Sequence, residues 1–281
     1  MQEAIIQDLN LGVLKEKARQ LRLDILEMTT LAGSGHPSSS FSAVEILTAL
    51  YFGGILRYRP TDPWWPERDR FIMSKGHSVP AQYAALAMLK VFPLEELATL
   101  KQLGSRLQGH PVMHCTPGVE GCTGSLGQGL SFANGVALAA RLQNYDYQVF
   151  CLIGDGELHE GQVWEAAMTT PRHCLTNVTV IIDRNGLKAM DESNCGKLLE
   201  PLAPRWASFG WQVREIDGHN LAQICAALDW ATATTDSPCA IIAHTVKGKG
   251  VSFMEAAPLK WHGVTPTPDQ AKQSIEEIEK A

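Results

Sequence analysis

The run Val149-Phe150-Cys151-Leu152-Ile153-Gly154-Asp155-Gly156-Glu157-Leu158-His159-Glu160-Gly161, followed by Val178-Thr179-Val180-Ile181-Ile182-Asp183-Arg184-Asn185, decides the fold. Val149 to Ile153 is apolar at every position, and Val178 to Asp183 nearly so. Strands that are apolar throughout, rather than at alternate positions, are buried on both faces, as in a parallel sheet with a helix layer on each side. The alternation continues outward. A helical stretch near 160 to 170 lies between the two runs; Gln212 to Ile216 and Cys239 to Thr245 read as further strands, separated by a helix near 220 to 235. Strand, helix, strand in this order predicts the α/β class: a parallel sheet covered by helices on both faces. In such sheets ligands sit outside the carboxyl ends of the strands, so the residues that follow each strand are the place to look for chemistry.

Upstream the chain is helical. Residues 3 to 32 carry an apolar helical period through Leu14, Ala18, Leu21, Ile25 and Met28, and stop at Gly33-Ser34-Gly35-His36-Pro37. A second helix is expected around Ser42 to Leu56, and the proline-rich segment 59 to 66 is extended. Phe71-Ile72-Met73 leads into Ser74-Lys75-Gly76-His77, and two further helices are expected at about 79 to 103. Glu276, Glu277, Glu279 and Lys280 fit a solvated terminal helix. No repeat, linker or tail divides the chain, so residues 1–281 read as a single domain with a helical segment over 1–60.

The composition narrows the partners. Among 281 residues, 45% are hydrophobic and 19% charged, with 24 Lys plus Arg against 30 Asp plus Glu and a net charge of −6. That excludes a disordered or collagen-like chain, and the acidic balance argues against nucleic acid or an anionic membrane as a partner. Met1 to Leu14 contains Glu3 and Asp8 and lacks a signal-peptide pattern, and the longest apolar runs are strand-length. The seven cysteines are odd in number and include no C-x-x-C pair, which predicts a reduced, cytoplasmic protein with Cys151, Cys225 and Cys239 as buried thiols.

Two strand ends present matched oxygen donors. Asp155 follows the first strand inside Gly-Asp-Gly, and Asn185 follows the next strand, 30 positions on. A carboxylate, an amide oxygen and a backbone carbonyl suit a hard cation such as Mg2+, with diphosphate oxygens and water completing its shell. The helix start after Gly156 adds N–H groups for an anion. Other patterns carry nothing: Gly127, Gly129 and Gly135 do not fit G-x-G-x-x-G, Gly248-Lys249-Gly250 is no P-loop, and His159-Glu160 opens no H-E-x-x-H pair. His114, His173 and His244 are left without a role, and His219, in an Asp-Gly-His turn, reads as structural.

The spacing of Asp155 and Asn185 is that of thiamine-diphosphate enzymes, and the whole chain resembles the amino-terminal, diphosphate-binding half of transketolase. Matching segments, in order, are Ser34-Gly35-His36-Pro37, Asp69-Arg70-Phe71 with Ser74-Lys75-Gly76-His77, Gly109-His110-Pro111, and Thr123-Gly124-Ser125-Leu126-Gly127-Gln128-Gly129. They continue with Gly154 to Gly161, Asp183-Arg184-Asn185, Asp217-Gly218-His219 and Trp261-His262-Gly263. The resemblance implies thiamine diphosphate and Mg2+ as cofactors, with Asp155, Asn185 and the Leu187 carbonyl as metal ligands. It implies that Gly156 and His77 lie against the diphosphate, Gly124 and Leu126 near the aminopyrimidine, and Glu160 at an intersubunit contact in the carboxylate network reaching the cofactor. His36, His110 and His262 would face the sugar, with His262 also touching the cofactor. Imidazole suits this because its ordinary pKa lies near working pH.

The family's activating glutamate lies on a pyrimidine-binding domain, for which this sequence has no room. The expectation is therefore a split transketolase: this chain as the N-terminal subunit, with a C-terminal transketolase subunit for its partner, in a heterotetramer with two copies of each. Lys247-Gly248-Lys249-Gly250-Val251-Ser252-Phe253-Met254-Glu255 is similar to the separate-subunit or bacterial short form of this region. The alternatives are half of a deoxyxylulose-phosphate synthase or 2-oxoacid dehydrogenase, or a non-catalytic cofactor-binding subunit. Two positions depart from the family: Gly186-Leu187 after Asn185, and Val112 after His110-Pro111 where an acidic residue is common, which bears on donor recognition. Phosphorylated, sulfonated or plain sugar substrates all fit this half.

Overall fold

A computed structural model describes residues 10–186 and 199–280. Five strands form one sheet: β1 (Arg70–Met73), β2 (Val149–Gly154), β3 (Val178–Arg184), β4 (Gln212–Asp217) and β5 (Cys239–His244). Their order is β1-β2-β3-β5-β4, and every neighbouring pair is parallel. The register aligns Gly154 with Asp183 and Asp183 with Ala243, so the chain leaves β2, β3 and β5 at one level.

Each strand splits its side chains between two cores, as the period-2 geometry requires. Phe150, Leu152, Ile181 and Ile241 join one apolar cluster with α1 (Leu11–Ala32), α3 (Val44–Phe52), α4 (Val79–Met88) and α8 (Leu221–Ala233). Val149, Cys151, Ile153, Val180 and Ile242 join the other, with α5 (Gly129–Gln143), α6 (Gly161–Arg172) and α7 (Leu202–Ser208). Both faces are covered, which is why these strands read as continuous apolar runs. β4 is the exception: it pairs only with β5 and is mostly exposed, so Gln212, Arg214 and Glu215 are tolerated there.

The long first helix starts where the Asn10 side chain accepts the Val13 N–H at 3.2 Å and ends at Gly33, whose φ of 58° reverses the chain. The helix expected around 42–56 forms as the shorter α3, and a five-residue helix outside that expectation, α2 (Pro37–Phe41), precedes it, with Pro37 at its first position directly after His36. Of the two helices expected at 79–103, α4 forms, but Leu94–Thr99 is only a 3-10 turn beyond Pro93. The 15-residue α5 hides in the sequence behind Gly129 and Gly135; it buries small residues, Ala133, Ala137 and Ala140, against β2. Short α9 (Ser252–Ala256) and the amphipathic α10 (Pro268–Lys280) close the chain, α10 burying Ala271 and Ile278. The six described cysteines are free thiols, with Cys151, Cys225 and Cys239 buried. Among the described residues no helix is long and apolar enough to cross a membrane.

Candidate active site at the strand ends

A pocket of about 210 Å3 opens where β1, β2, β3 and β5 end. The segment after each strand supplies part of its wall: Lys75 and His77 after β1, Asp155 to Glu157 after β2, Asn185 after β3 and Lys247 after β5. Three loops complete it, bringing in His36 and Ser39, then His110, Gly124 and Leu126, then His262.

At its acidic end Asp155 accepts the Gly156 N–H at 2.8 Å and the Gly186 N–H at 2.6 Å, with Arg184 at 3.4 Å. Burial pushes its carboxyl up to about 6, and the negative charge of Asp183 adds to that. The Arg184 guanidinium and the two N–H groups act against this rise. Glu157 sits beside it, fully buried, and accepts from Ser74 Oγ at 2.5 Å, the Gly127 N–H at 2.8 Å and the Gly154 N–H at 3.2 Å. It ties the ends of β1 and β2 to the loop before α5.

Behind both lies a buried ion pair. The Lys75 ammonium pairs with Asp183, and both side chains are fully buried. Lys75 also donates to the Ser39 carbonyl at 3.0 Å, while Asp183 accepts from Ser42 Oγ at 2.6 Å and from Thr245 Oγ1. Burial alone would raise the Asp183 carboxyl, but Lys75 and these hydroxyls outweigh it and hold it below the usual range.

The other end is made of imidazoles. The rings of His36, His77 and His262 form a triangle with centroid separations of 5.1, 5.4 and 5.4 Å. Burial, then the neighbouring cations and rings, lowers His36 to about 4; burial and Lys247 lower His262 to about 4. His77 shifts the same way, and His110, exposed at the rim, does so chiefly through burial and Lys101. At neutral pH these rings are therefore neutral hydrogen-bonding groups, not cations. Gly124 packs against His110 with a φ of 148°, and a Cβ there would stand 3.1 Å from the ring. Lys247 lies under the triangle, 4% exposed, with its ammonium on His262 Nδ1. No carboxylate pairs with it among the described residues, and burial followed by Lys75 lowers it to about 8.

The pocket thus gathers His36, His77, His110, Gly124, Leu126, Asp155, Gly156, Asn185 and His262, the residues that the sequence motifs single out. Glu160 is exposed at the start of α6 and does not line it. Leu187 lies outside the described residues. Lys247, Lys75 and Glu157 have no role that the motifs assign. Lys247 carries a signal nonetheless, a lone cation just past an apolar strand end. The donor chemistry fits the two groups expected here. A buried carboxylate at Asp155, whose charged form burial disfavours, with the Asn185 amide in the same pocket, suits a hard cation, and a buried Lys247 without a carboxylate partner among the described residues suits an anion. No cluster of three or more His, Cys, Asp or Glu that could hold a metal exists among the described residues.

Fold and pocket together define an α/β cofactor-binding domain with its site at the strand ends. Residues 13–277 match the family described as transketolase, thiamine diphosphate binding domain. The chain is 41% identical over 267 residues to the 6-deoxy-6-sulfo-D-fructose transketolase subunit SqwG of Clostridium sp. (strain MSTE9), covering 95% of this chain and 96% of that one. It is 40% identical to an apulose-4-phosphate transketolase subunit of Phocaeicola vulgatus, covering 94% and 93%. The crystal structure of transketolase from Campylobacter jejuni superposes with a TM-score of 0.88 at 35% identity, over 96% of this chain but 43% of that one. This chain belongs to the transketolase family, within its thiamine diphosphate binding domain.

Proposed function

We propose that this chain is the N-terminal subunit of a split transketolase. With a C-terminal partner subunit carrying the pyrimidine-binding domain, it moves a two-carbon ketol unit from a ketose to an aldose, using thiamine diphosphate and Mg2+. The observation that carries this is the polarity of the pocket: Asp155 and Asn185 at one end, and Lys247 beneath three neutral imidazoles at the other. Support for the split arrangement is that the chain covers 96% and 93% of two relatives named as subunits, but 43% of a single-chain transketolase.

In this reading residues 1–281 are one diphosphate-binding domain working in the cytoplasm in a heterotetramer. Asp155, Asn185 and the Leu187 carbonyl hold the metal; Gly156, His77 and Lys247 hold the diphosphate, and Gly124 and Leu126 line the ring end. Glu160, outside the pocket wall, faces the partner and reaches the cofactor through the partner's carboxylates. Bound thiamine diphosphate supplies the carbanion and the electron sink for carbon–carbon cleavage. His36, His110 and His262 hold the sugar. As neutral rings at pH 7, they accept a proton from a sugar hydroxyl and return it. The chemistry fits a ketose with an anionic tail, phosphate or sulfonate, held mainly by the partner.

The test is ketol transfer from a ketose phosphate to an aldose phosphate by this chain alone, by the partner chain alone and by the two mixed. Activity only in the mixture is expected. Robust transfer by this chain alone would overturn the split reading, and transfer from pyruvate in place of the ketose would move it to another thiamine enzyme.

A further inference from the structure

On the far side of the loop that carries Lys247 lies a larger cleft of about 690 Å3, walled by α1, the turn after β4 and Lys249. Its floor is a buried network with no part in the proposed ketol transfer. Arg22 on α1 donates to both oxygens of Glu45 on α3, at 2.6 and 2.8 Å, and its Nε donates to the Lys249 carbonyl at 3.0 Å. His219 completes the network, with Nδ1 at 2.9 Å from Glu45 and Nε2 at 2.8 Å from the Val246 nitrogen.

The hydrogen bonds fix the tautomer. A backbone N–H only donates, so Nε2 must be the unprotonated acceptor, and the proton sits on Nδ1, donated to Glu45. The side chains of Arg22, Glu45 and His219 are 9%, 10% and 13% exposed, so these bonds are shielded from competing water. The network therefore grips the loop at Val246 and at Lys249, on either side of Lys247. Gly248, with its N–H bonded to the Ser38 carbonyl at 2.9 Å, supplies a third hold.

We propose that His219 is a positioning residue: by accepting the Val246 hydrogen bond it sets where the adjacent Lys247 ammonium stands against His262. What that placement is for rests on the diphosphate reading of the pocket; the placement itself does not. His219 does not line the pocket and acts through the loop backbone.

Two substitutions separate its two contacts. His219→Asn keeps a donor at the Nδ1 position for Glu45 but is too short to reach Val246. His219→Gln places an acceptor where Nε2 stood. The readout is competitive amine labelling of the full-length, cofactor-free chain by limiting acetic anhydride, with mass spectrometry following Lys247 and, as internal reference, the exposed Lys90, which lies outside both the pocket and this network. His219→Asn should change the Lys247 labelling rate by about threefold or more, the size of a broken local coupling, with Lys90 unchanged. His219→Gln should restore the parent rate. An unchanged Lys247 rate in His219→Asn, or equal changes at both lysines, would overturn the proposal. Thiamine diphosphate titration of the two-chain complex is scored separately. Absence of binding by the parent complex would break the diphosphate reading, while a Lys247-specific labelling change would still establish the positioning role.

Discussion

At one end of the pocket the Asp155 carboxylate is raised to about 6 and accepts from two backbone N–H groups; at the other, His36 and His262 are lowered to about 4 around a buried lysine. Both shifts begin with burial, which disfavours whichever form is charged. Their outcomes are opposite. At the acidic end burial disfavours the charged carboxylate, which a cation would relieve, whereas at the imidazole end the rings are neutral and the buried charge is the Lys247 ammonium. The Lys75–Asp183 pair behind them is a partition that acts on both sides, Asp183 adding to the rise at Asp155 and Lys75 to the fall at Lys247.

The partition should show the largest effect when broken. Asp183→Ala leaves a fully buried ammonium without its partner, and urea unfolding should register a loss of about 3–5 kcal/mol. A loss near zero would mean that Lys75 is not held buried by Asp183. Next comes the acidic end itself. Asp155→Ala in the two-chain complex should weaken Mg2+-dependent binding of thiamine diphosphate by about 100-fold or more while circular dichroism stays that of the parent. Lys247→Ala tests the opposite end: about tenfold weaker binding is expected, the value of one charge-assisted hydrogen bond. If Lys247→Ala had no effect, the anion site would have to lie elsewhere.

Acidification separates the ends without mutation. Between pH 6.5 and 4 the unfolded chain protonates its histidines while folded His36 and His262, lowered to about 4, do not, so their contribution to stability falls as pH falls through that window. Asp155, raised to about 6, binds its proton more tightly when folded and works the other way. With two rings against one carboxyl, these groups together predict a net loss, visible as a lower urea midpoint at pH 5 than at pH 7. The double variant His36→Asn, His262→Asn should flatten or reverse this trend. The smallest effect concerns one ring: Lys247→Ala removes a positive neighbour, so His262 should titrate at higher pH by nuclear magnetic resonance.

The two ends also differ in how far the sequence reveals them. Asp155 and Asn185 stand directly after apolar runs, and their place follows from the rule that strand ends face the ligand. The imidazole end is assembled from turns 226 positions apart, His36 to His262, and no local pattern joins them; only resemblance to a family does. Lys247 falls under the same strand-end rule, but its Gly-Lys-Gly neighbours resemble a failed phosphate loop and mask it. In the fold, α5 escapes notice because its buried face is mostly alanine, with Gly129 at its start and the polar Asn134 within it, and carries little apolar period. β4 is legible as a strand, although its exposed edge makes it the least apolar of the five.

The most direct measurement of the central claim is calorimetric titration of thiamine diphosphate, with and without Mg2+, into this chain, its partner and their complex. Tight, Mg2+-dependent binding by the complex and at most weak binding by either chain alone is the predicted result. Equally tight binding without metal, or full binding by the partner chain alone, would contradict it.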